Sequence, residues 1–457
     1  MTQRATSDRL TPARLIRFSA LAMPLAAVEV PLSTYLPPLY ASAFGFDLAT
    51  LGLIFLAARL WDAVIDPGIG ILSDRTRTRF GRRRPWIAAG AVFFALGAIP
   101  VFLPPAGIGA IGLSAALFVF YIGYSMMATP FAAWGGELAS QYHERTRIAT
   151  YGQVMTCIAL LLALVLPSLL VTRFADAPRL QIAAMGAMVA LLFFPALILG
   201  LTALPEPPAA PPVTRDLKLR VLLRLVFTDR LLLRVLASNF AVRLGQGIRT
   251  ALFVFFIAHV MGQPSWAPGL FLLQYLVSIS AGPIWLQIGR RLGKSRAAVV
   301  GELVQTGINL MLLLVTPQAV PLLLALTVAQ GLAQGSGNLM LRAIVADVAD
   351  HHRLHTGHDR IGLFFSVFSL SDKAAFAVAV GVALPLVGWL GFNPATANTG
   401  DALAGLHLVF ALGPALAHLL SAVLIHGFPL DEARHADVRR QLDKAAATPP
   451  ALMVAAE

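Results

Sequence analysis

The chain has 457 residues, of which 57% are hydrophobic and only 13% charged, and its formal net charge is +12. Soluble domains carry roughly 25% charged residues, and a soluble protein of this size has no core large enough to hide so much apolar side chain. Composition therefore excludes an ordinary soluble enzyme or binding module and points to a polytopic membrane protein. The single cysteine, Cys157, excludes an internal disulfide. No convincing small-residue cleavage site follows Arg4, Arg9, Arg14 and Arg17, so no removable signal peptide is expected.

A helix crosses a bilayer with about 20 mostly apolar residues. Twelve segments qualify: 18–40, 48–72, 86–104, 108–132, 148–172, 180–203, 235–261, 267–288, 297–316, 320–341, 362–389 and 404–427. If both termini are cytoplasmic, the inward segments hold 29 of the 35 Lys and Arg residues, whereas the outward loops hold only Arg173 and Arg179. The positive-inside bias thus orients the chain with both ends inside. Basic loops facing an anionic leaflet account for the net charge without nucleic acid as a partner.

The expected fold class is an all-α membrane protein of twelve transmembrane helices in two six-helix pseudo-repeats. Residues 1–204 form the first bundle, 205–230 a cytoplasmic linker rich in proline and then in arginine, 231–430 the second bundle and 431–457 a cytoplasmic tail. A weak repeat supports the halves. After the second span the chain reads Asp74-Arg75-Thr76-Arg77-Thr78-Arg79-Phe80-Gly81-Arg82-Arg83-Arg84, and after the eighth Gly289-Arg290-Arg291-Leu292-Gly293-Lys294-Ser295-Arg296. Gly81 and Gly293 occupy equivalent places 212 residues apart. This pattern resembles the major facilitator superfamily, whose parallel halves bind substrate near the midplane at their interface.

An ionisable residue at the centre of a span costs about 2.5–3.5 kcal/mol, so each needs a reason to be there. The second span holds the densest set, Arg59-Leu60-Trp61-Asp62-Ala63-Val64-Ile65-Asp66-Pro67. Asp62 and Asp66 are four apart and share a face, with Arg59 nearly on it. Two carboxylates side by side in low dielectric either take up a proton or hold a cation between them. A simple Arg59–Asp62 ion pair locking two helices is the alternative.

This segment, continued by Gly70, Ser73-Asp74-Arg75-Thr76-Arg77 and Phe80-Gly81-Arg82-Arg83-Arg84-Pro85-Trp86, resembles the signature of the glycoside–pentoside–hexuronide:cation symporters, the melibiose-permease-like branch of the superfamily. Pro130-Phe131, Glu137, Ala346-Asp347-Val348-Ala349-Asp350, Thr356-Gly357, Gly362, Phe365-Ser366 and Lys373 extend the resemblance along the whole chain. It implies secondary active transport with Asp62 and Asp66 as the cation-coupling carboxylates, and Ser125 standing where the family has a threonine in the fourth span. It also has departures. Ala128, Ala26, Gln153, Ile65, Asp359 and Ile361 replace polar or charged residues of the family, although Glu29 lies one turn from Ala26. The acids that grip a galactoside are therefore absent. The sodium cage lacks the oxygen that Ile65 cannot supply, so protons are favoured over sodium as the coupling ion, and no other cofactor is expected.

In the seventh span Asn239, Arg243, Gln246 and Arg249 form one polar stripe. Either it pairs with inward acids such as Glu29 or Asp372, or it forms a positive site for an anionic solute, because the planar guanidinium suits carboxylates. The candidate solute-binding residues are Arg59, Glu29, Arg243, Gln246, Arg249, Lys373 and Asp372. Asp74, Arg75, Arg82, Glu137, Asp347 and Asp350 read as a conformational latch. Glu302 reads as a loop-pairing residue. His351, His352, His355 and His358 lack the spacing of a closed metal site, and no nucleophile elbow, phosphate loop or metalloprotease motif marks an enzyme.

The expectation is a monomeric, multi-pass carrier of the inner (plasma) membrane. By alternating access it would move a sugar, glycoside or sugar-acid-like solute together with a cation. Two other functions stay open: a proton-antiport exporter of the same fold, and a transporter of lipid headgroups.

Overall fold

The computed structural model describes residues 10–138, 142–173, 177–206, 228–357 and 361–447. Among them the chain is helical throughout, apart from turns and one isolated bridge between Thr78 and Gly81. In chain order the helices are α1 (Pro12–Ser19), α2 (Ala22–Ala27), α3 (Leu36–Phe44), α4 (Leu48–Arg75), α5 (Arg84–Phe102), α6 (Ala110–Glu137), α7 (Tyr142–Arg173) and α8 (Pro178–Ala203). They continue with α9 (Arg230–Phe255), α10 (Trp266–Leu292), α11 (Lys294–Met311), α12 (Val320–Ala333), α13 (Ser336–Thr356), α14 (Ile361–Trp389), α15 (Gly400–Ile425) and α16 (Glu432–Ala447). Most of the linker expected at 205–230 lies outside the described residues, as do the end of the tail and His358.

Ten helices among the described residues are long and apolar enough to cross a membrane. An eleventh crossing follows if α1 and the segment Ala22–Phe44 count as one span bent by 40°. Inside that segment Pro31 opens a π-turn over Pro31–Tyr35, since proline removes a backbone donor and the ladder must slip to continue. The segment expected as one span at 320–341 is two helices. α12 stops at Ala333, Gly335 takes a left-handed backbone (φ 91°), and α13 begins at Ser336 and runs to Thr356. Apolar side chains such as Leu191, Phe194, Leu416 and Val423 stand exposed along the helices, as a lipid-facing surface requires.

Two compact units are present. The first comprises residues 1–214, 250–272 and 380–406, and the second 215–249, 273–379 and 407–457. In the first, α5 and α6 pack along their lengths, and Phe94 on α5 stacks with Phe193 on α8 at 5.0 Å between ring centroids. In the second, Val235, Val242, Trp285, Met340, Ile344, Phe364 and Phe368 are buried in one apolar cluster. Gly81 and Gly293, which the repeat placed at equivalent positions, both adopt positive φ (104° and 81°), conformations that a residue with a Cβ strains to reach.

Candidate functional site: a carboxylate ladder and two polar clusters

The second-span carboxylates Asp62 and Asp66 lie on α4, which starts at Asp47, an N-cap whose carboxylate accepts the backbone N–H of Thr50 at 2.8 Å. Thr50 holds the Asp47 carboxyl below the usual carboxylate range. Three turns on, α4 meets α6, and the facing residues form two rungs. Ser125 donates its hydroxyl to Asp62 at 2.9 Å, and Thr129 donates to Asp66 at 3.3 Å. Because 62 and 66 are one turn apart on α4, and 125 and 129 one turn apart on α6, the rungs stack along the helix axes. Asp62 is 1% exposed and Ser125 fully buried, whereas Asp66 is half-buried. Asp62 is therefore shielded from solvent, while Asp66 keeps partial exposure.

Arg59 stands one turn before Asp62, with its guanidinium 5.4 Å from the centre of the Tyr121 ring. Tyr121, Asp62, Glu29 and Tyr124 are the groups that act on it electrostatically. The structure thus brings the expected Arg59, Glu29 and Asp62 into one neighbourhood of the first unit, and adds Tyr121 and Tyr124 from α6. The Tyr121 hydroxyl is buried there without a hydrogen-bond partner among the described residues.

In the second unit, the stripe on α9 meets α14 and α13. Arg243 donates from Nε to Asp372 Oδ1 at 2.8 Å and from Nη2 to Oδ2 at 3.4 Å, and Asn239 donates to Asp372 Oδ1 at 2.8 Å. Arg243 and Asn338 both donate to the Gln246 carbonyl oxygen at 3.3 Å. The Asp372 carboxylate therefore offsets the Arg243 charge. Arg249 is placed differently. It is buried, donates to Asn309 Oδ1 at 3.1 Å, and its guanidinium lies 5.5 Å from the centre of the Phe410 ring. Lys373 follows Asp372 on α14 and is half-buried.

The residues read as a latch fall into two clusters. In the first unit Arg82 and Arg83 both reach Glu137, at 2.7 and 2.8 Å, and Arg83 also pairs with Asp74 and donates to Ser73 at 2.8 Å. Arg75 is exposed at the last turn of α4, so Arg83, not singled out by the sequence, links Asp74 to Glu137. Glu206 accepts the backbone N–H groups of Arg82, Arg83 and Arg84 at the start of α5, where a helix favours negative charge. In the second unit Lys294 holds Asp347 at 2.7 Å, while His435 and Arg439 of α16 reach Asp350 at 3.2 and 3.1 Å.

Three further residues of weight escaped the sequence reading. Thr129 is one of many hydroxyls in apolar helices, and only its register with Asp66 marks it. Glu302 pairs with a helix rather than a loop: it is 1% exposed within α11, and its Oε2 lies 2.6 Å from Nδ1 of His418, itself 1% exposed, on α15. An acid and a histidine in apolar spans, 116 residues apart, carried the signal without the pairing. Of the histidine run, His352 lies 3.4 Å from Asp229, and the rings of His351 and His355 are 4.2 Å apart. No group of three or more His, Cys, Asp or Glu residues is arranged to hold a metal among the described residues.

Comparison with known proteins agrees with this architecture. An uncharacterized symporter of Synechocystis sp. is 24% identical, the match covering 87% of this chain and 90% of the relative. A glucuronide carrier protein homolog of Escherichia coli (strain K12) is 23% identical over 88% of this chain and 89% of the relative. The crystal structure of the nucleoside transporter NupG superimposes with a TM-score of 0.66 at 13% identity, covering 91% of this chain and all of that one, which shows a shared fold. Residues 18–432 match the family described as MFS/sugar transport protein, a family of membrane transporters, and the chain belongs to it.

Proposed function

We propose that this protein is a cation-coupled symporter of a sugar or glycoside, working by alternating access as a monomer in the inner membrane, with twelve crossings and both ends in the cytoplasm. The observation that carries this reading is the ladder between α4 and α6, with a buried Asp62–Ser125 rung and a part-buried Asp66–Thr129 rung. Two carboxylates one turn apart in low dielectric favour binding of a positive charge between or upon them. The relatives' printed names, a symporter and a glucuronide carrier homolog, agree with it.

The coupling ion we favour is the proton. A hard cation such as sodium prefers about six oxygen ligands, whereas the ladder supplies two carboxylates and two hydroxyls, and Ile65 contributes no side-chain oxygen. A neutral, hydroxyl-rich solute fits the second unit best. Arg243 is already offset by Asp372, and the neighbouring Gln246, Asn239 and Asn338 are amides suited to hydroxyl groups. A sugar acid is the second reading, supported by Lys373, Arg249 and the named glucuronide carrier homolog.

A thermal-shift screen of the purified protein with neutral glycosides and with their uronic acid counterparts separates the two. A ligand present at a hundred times its Kd stabilises by about 2.7 kcal/mol. Stabilisation by neutral glycosides supports the first reading, stabilisation by uronates alone the second, and no response to either class contradicts sugar transport.

A further inference from the structure

We propose that Glu302 and His418 form a second proton-binding site, inside the second unit and separate from the Asp62–Asp66 ladder. The inference rests on the reading of the chain as a proton-coupled carrier, and its evidence is independent of that ladder. Glu302 Oε2 and His418 Nδ1 lie 2.6 Å apart, and each side chain is 1% exposed.

The pair is enclosed by backbone as well as by side chains. A Cβ on Gly337 of α13 would collide with Glu302 Oε1, and a Cβ on Gly245 of α9 would lie 3.3 Å from His418 Nε2. Glycine at these two places lets two further helices close over the carboxylate and the imidazole. Thr306 donates back to the Glu302 carbonyl at 2.8 Å, which holds this part of α11 in register.

Charge decides what such a pair does. A carboxylate beside a neutral imidazole leaves a net negative charge in low dielectric, at a cost of several kcal/mol. One proton taken from water and held in the short Oε2–Nδ1 bond, as carboxylate with imidazolium or as carboxylic acid with imidazole, makes the pair neutral. The same proton returns to water when the site opens, so no other reactant is required.

Other charged groups around the pair are engaged elsewhere or face outward. On α9, Arg243 is held by Asp372, Arg249 by Asn309, and Arg234 by the carbonyls of Leu424 and His426. Lys294 on α11 is held by Asp347 of α13, and His407 on α15 meets the Leu312 carbonyl at 2.8 Å. Arg296, Arg342 and Asp401 are exposed, and α12 carries no charged residue. None of these groups supplies the charge that balances Glu302, so the balance falls to the proton on the pair.

The test is an infrared difference titration of the full-length protein in lipid, with isotope-labelled histidine, recorded as pH is stepped from alkaline to acidic. The expected result is a coupled carboxyl and imidazole signal that is lost in both Glu302→Gln and His418→Gln and kept in Asp62→Asn. Glu302→Asp, which retains a carboxyl group, should keep the signal with its midpoint displaced by about one pH unit, a tenfold change in proton affinity. A wild-type titration unchanged by Glu302→Gln and His418→Gln, even if both variants melt at lower temperature, means a purely structural pair and overturns the proposal. So does loss of the signal in His418→Gln together with full retention in Glu302→Gln, because the proton would then belong to the histidine alone. Uphill uptake measured alongside keeps the two ideas distinguishable: accumulation by Asp62→Asn with the pair signal intact removes the ladder reading and leaves this site standing.

Discussion

Asp62 lies in the interior of the first unit with Ser125 as hydrogen-bond donor and Arg59 one turn away. Asp62→Asn keeps the volume and removes the titratable oxygen, so uphill accumulation should be abolished while the protein still inserts and still exchanges solute down its gradient. Counterflow and gradient-driven uptake in proteoliposomes measure the two separately. Ser125→Ala removes one donor to a buried carboxylate, worth about 1–3 kcal/mol, and should shift the pH at half-maximal uptake without abolishing it. In the second unit, Arg243→Gln leaves the half-buried Asp372 without its cation; a fully buried pair broken in this way loses about 3–5 kcal/mol. That figure is an upper bound here, because both side chains keep partial exposure. Arg243→Gln with Asp372→Asn should recover most of the lost stability in a thermal melt; equal destabilisation of single and double variants would show that the pair is not the cause. The acids Asp62 and Asp66 could be read from the sequence because a charge in an apolar span is conspicuous. Thr129, Arg83 and the Glu302–His418 contact could not, because each depends on a neighbour supplied by another helix.

Helix α4 shows how one element carries several functions. Its start is fixed by Asp47, and Asp47→Ala should cost about 1 kcal/mol, the usual worth of an N-cap. Because Thr50 holds the folded Asp47 pKa below its unfolded value, this contribution is present at neutral pH and fades as pH falls through the folded value. Urea melts at neutral and acid pH should therefore show the wild type and Asp47→Ala converging at acid pH. Further along, Gly52 lies against Pro385 within the same unit, and a Cβ there would meet the proline ring at 2.7 Å. Gly52→Val should force α4 and α14 apart at this end and cut transport while sparing solute binding, as measured by uptake against thermal shift. The element boundaries read from hydropathy were good where apolar runs were unbroken. They failed at 320–341, where hydropathy runs on across Gln334-Gly335 but the backbone turns, and at the first span, where Pro31 forces a π-turn. Hydropathy averages over a window and does not see one residue's φ.

At the scale of the molecule, composition alone separated a polytopic membrane protein from soluble classes, and the basic turns at Gly81 and Gly293 carry matching positive φ in the two units. The fold class was legible because lipid demands long apolar helices and little else. The solute was not, because a single sequence does not show which side chains on distant helices meet, such as Asp372 against Arg243. In the proposed mechanism a proton held at the α4–α6 ladder drives solute uphill. Its most direct measurement is uptake of labelled glycoside into sodium-free proteoliposomes with an imposed inside-alkaline pH gradient, wild type beside Asp62→Asn. Accumulation above equilibrium is expected in the wild type, with its loss when a protonophore collapses the gradient, and none in the variant. Accumulation that requires sodium and ignores the pH gradient, or that persists in Asp62→Asn, would contradict it.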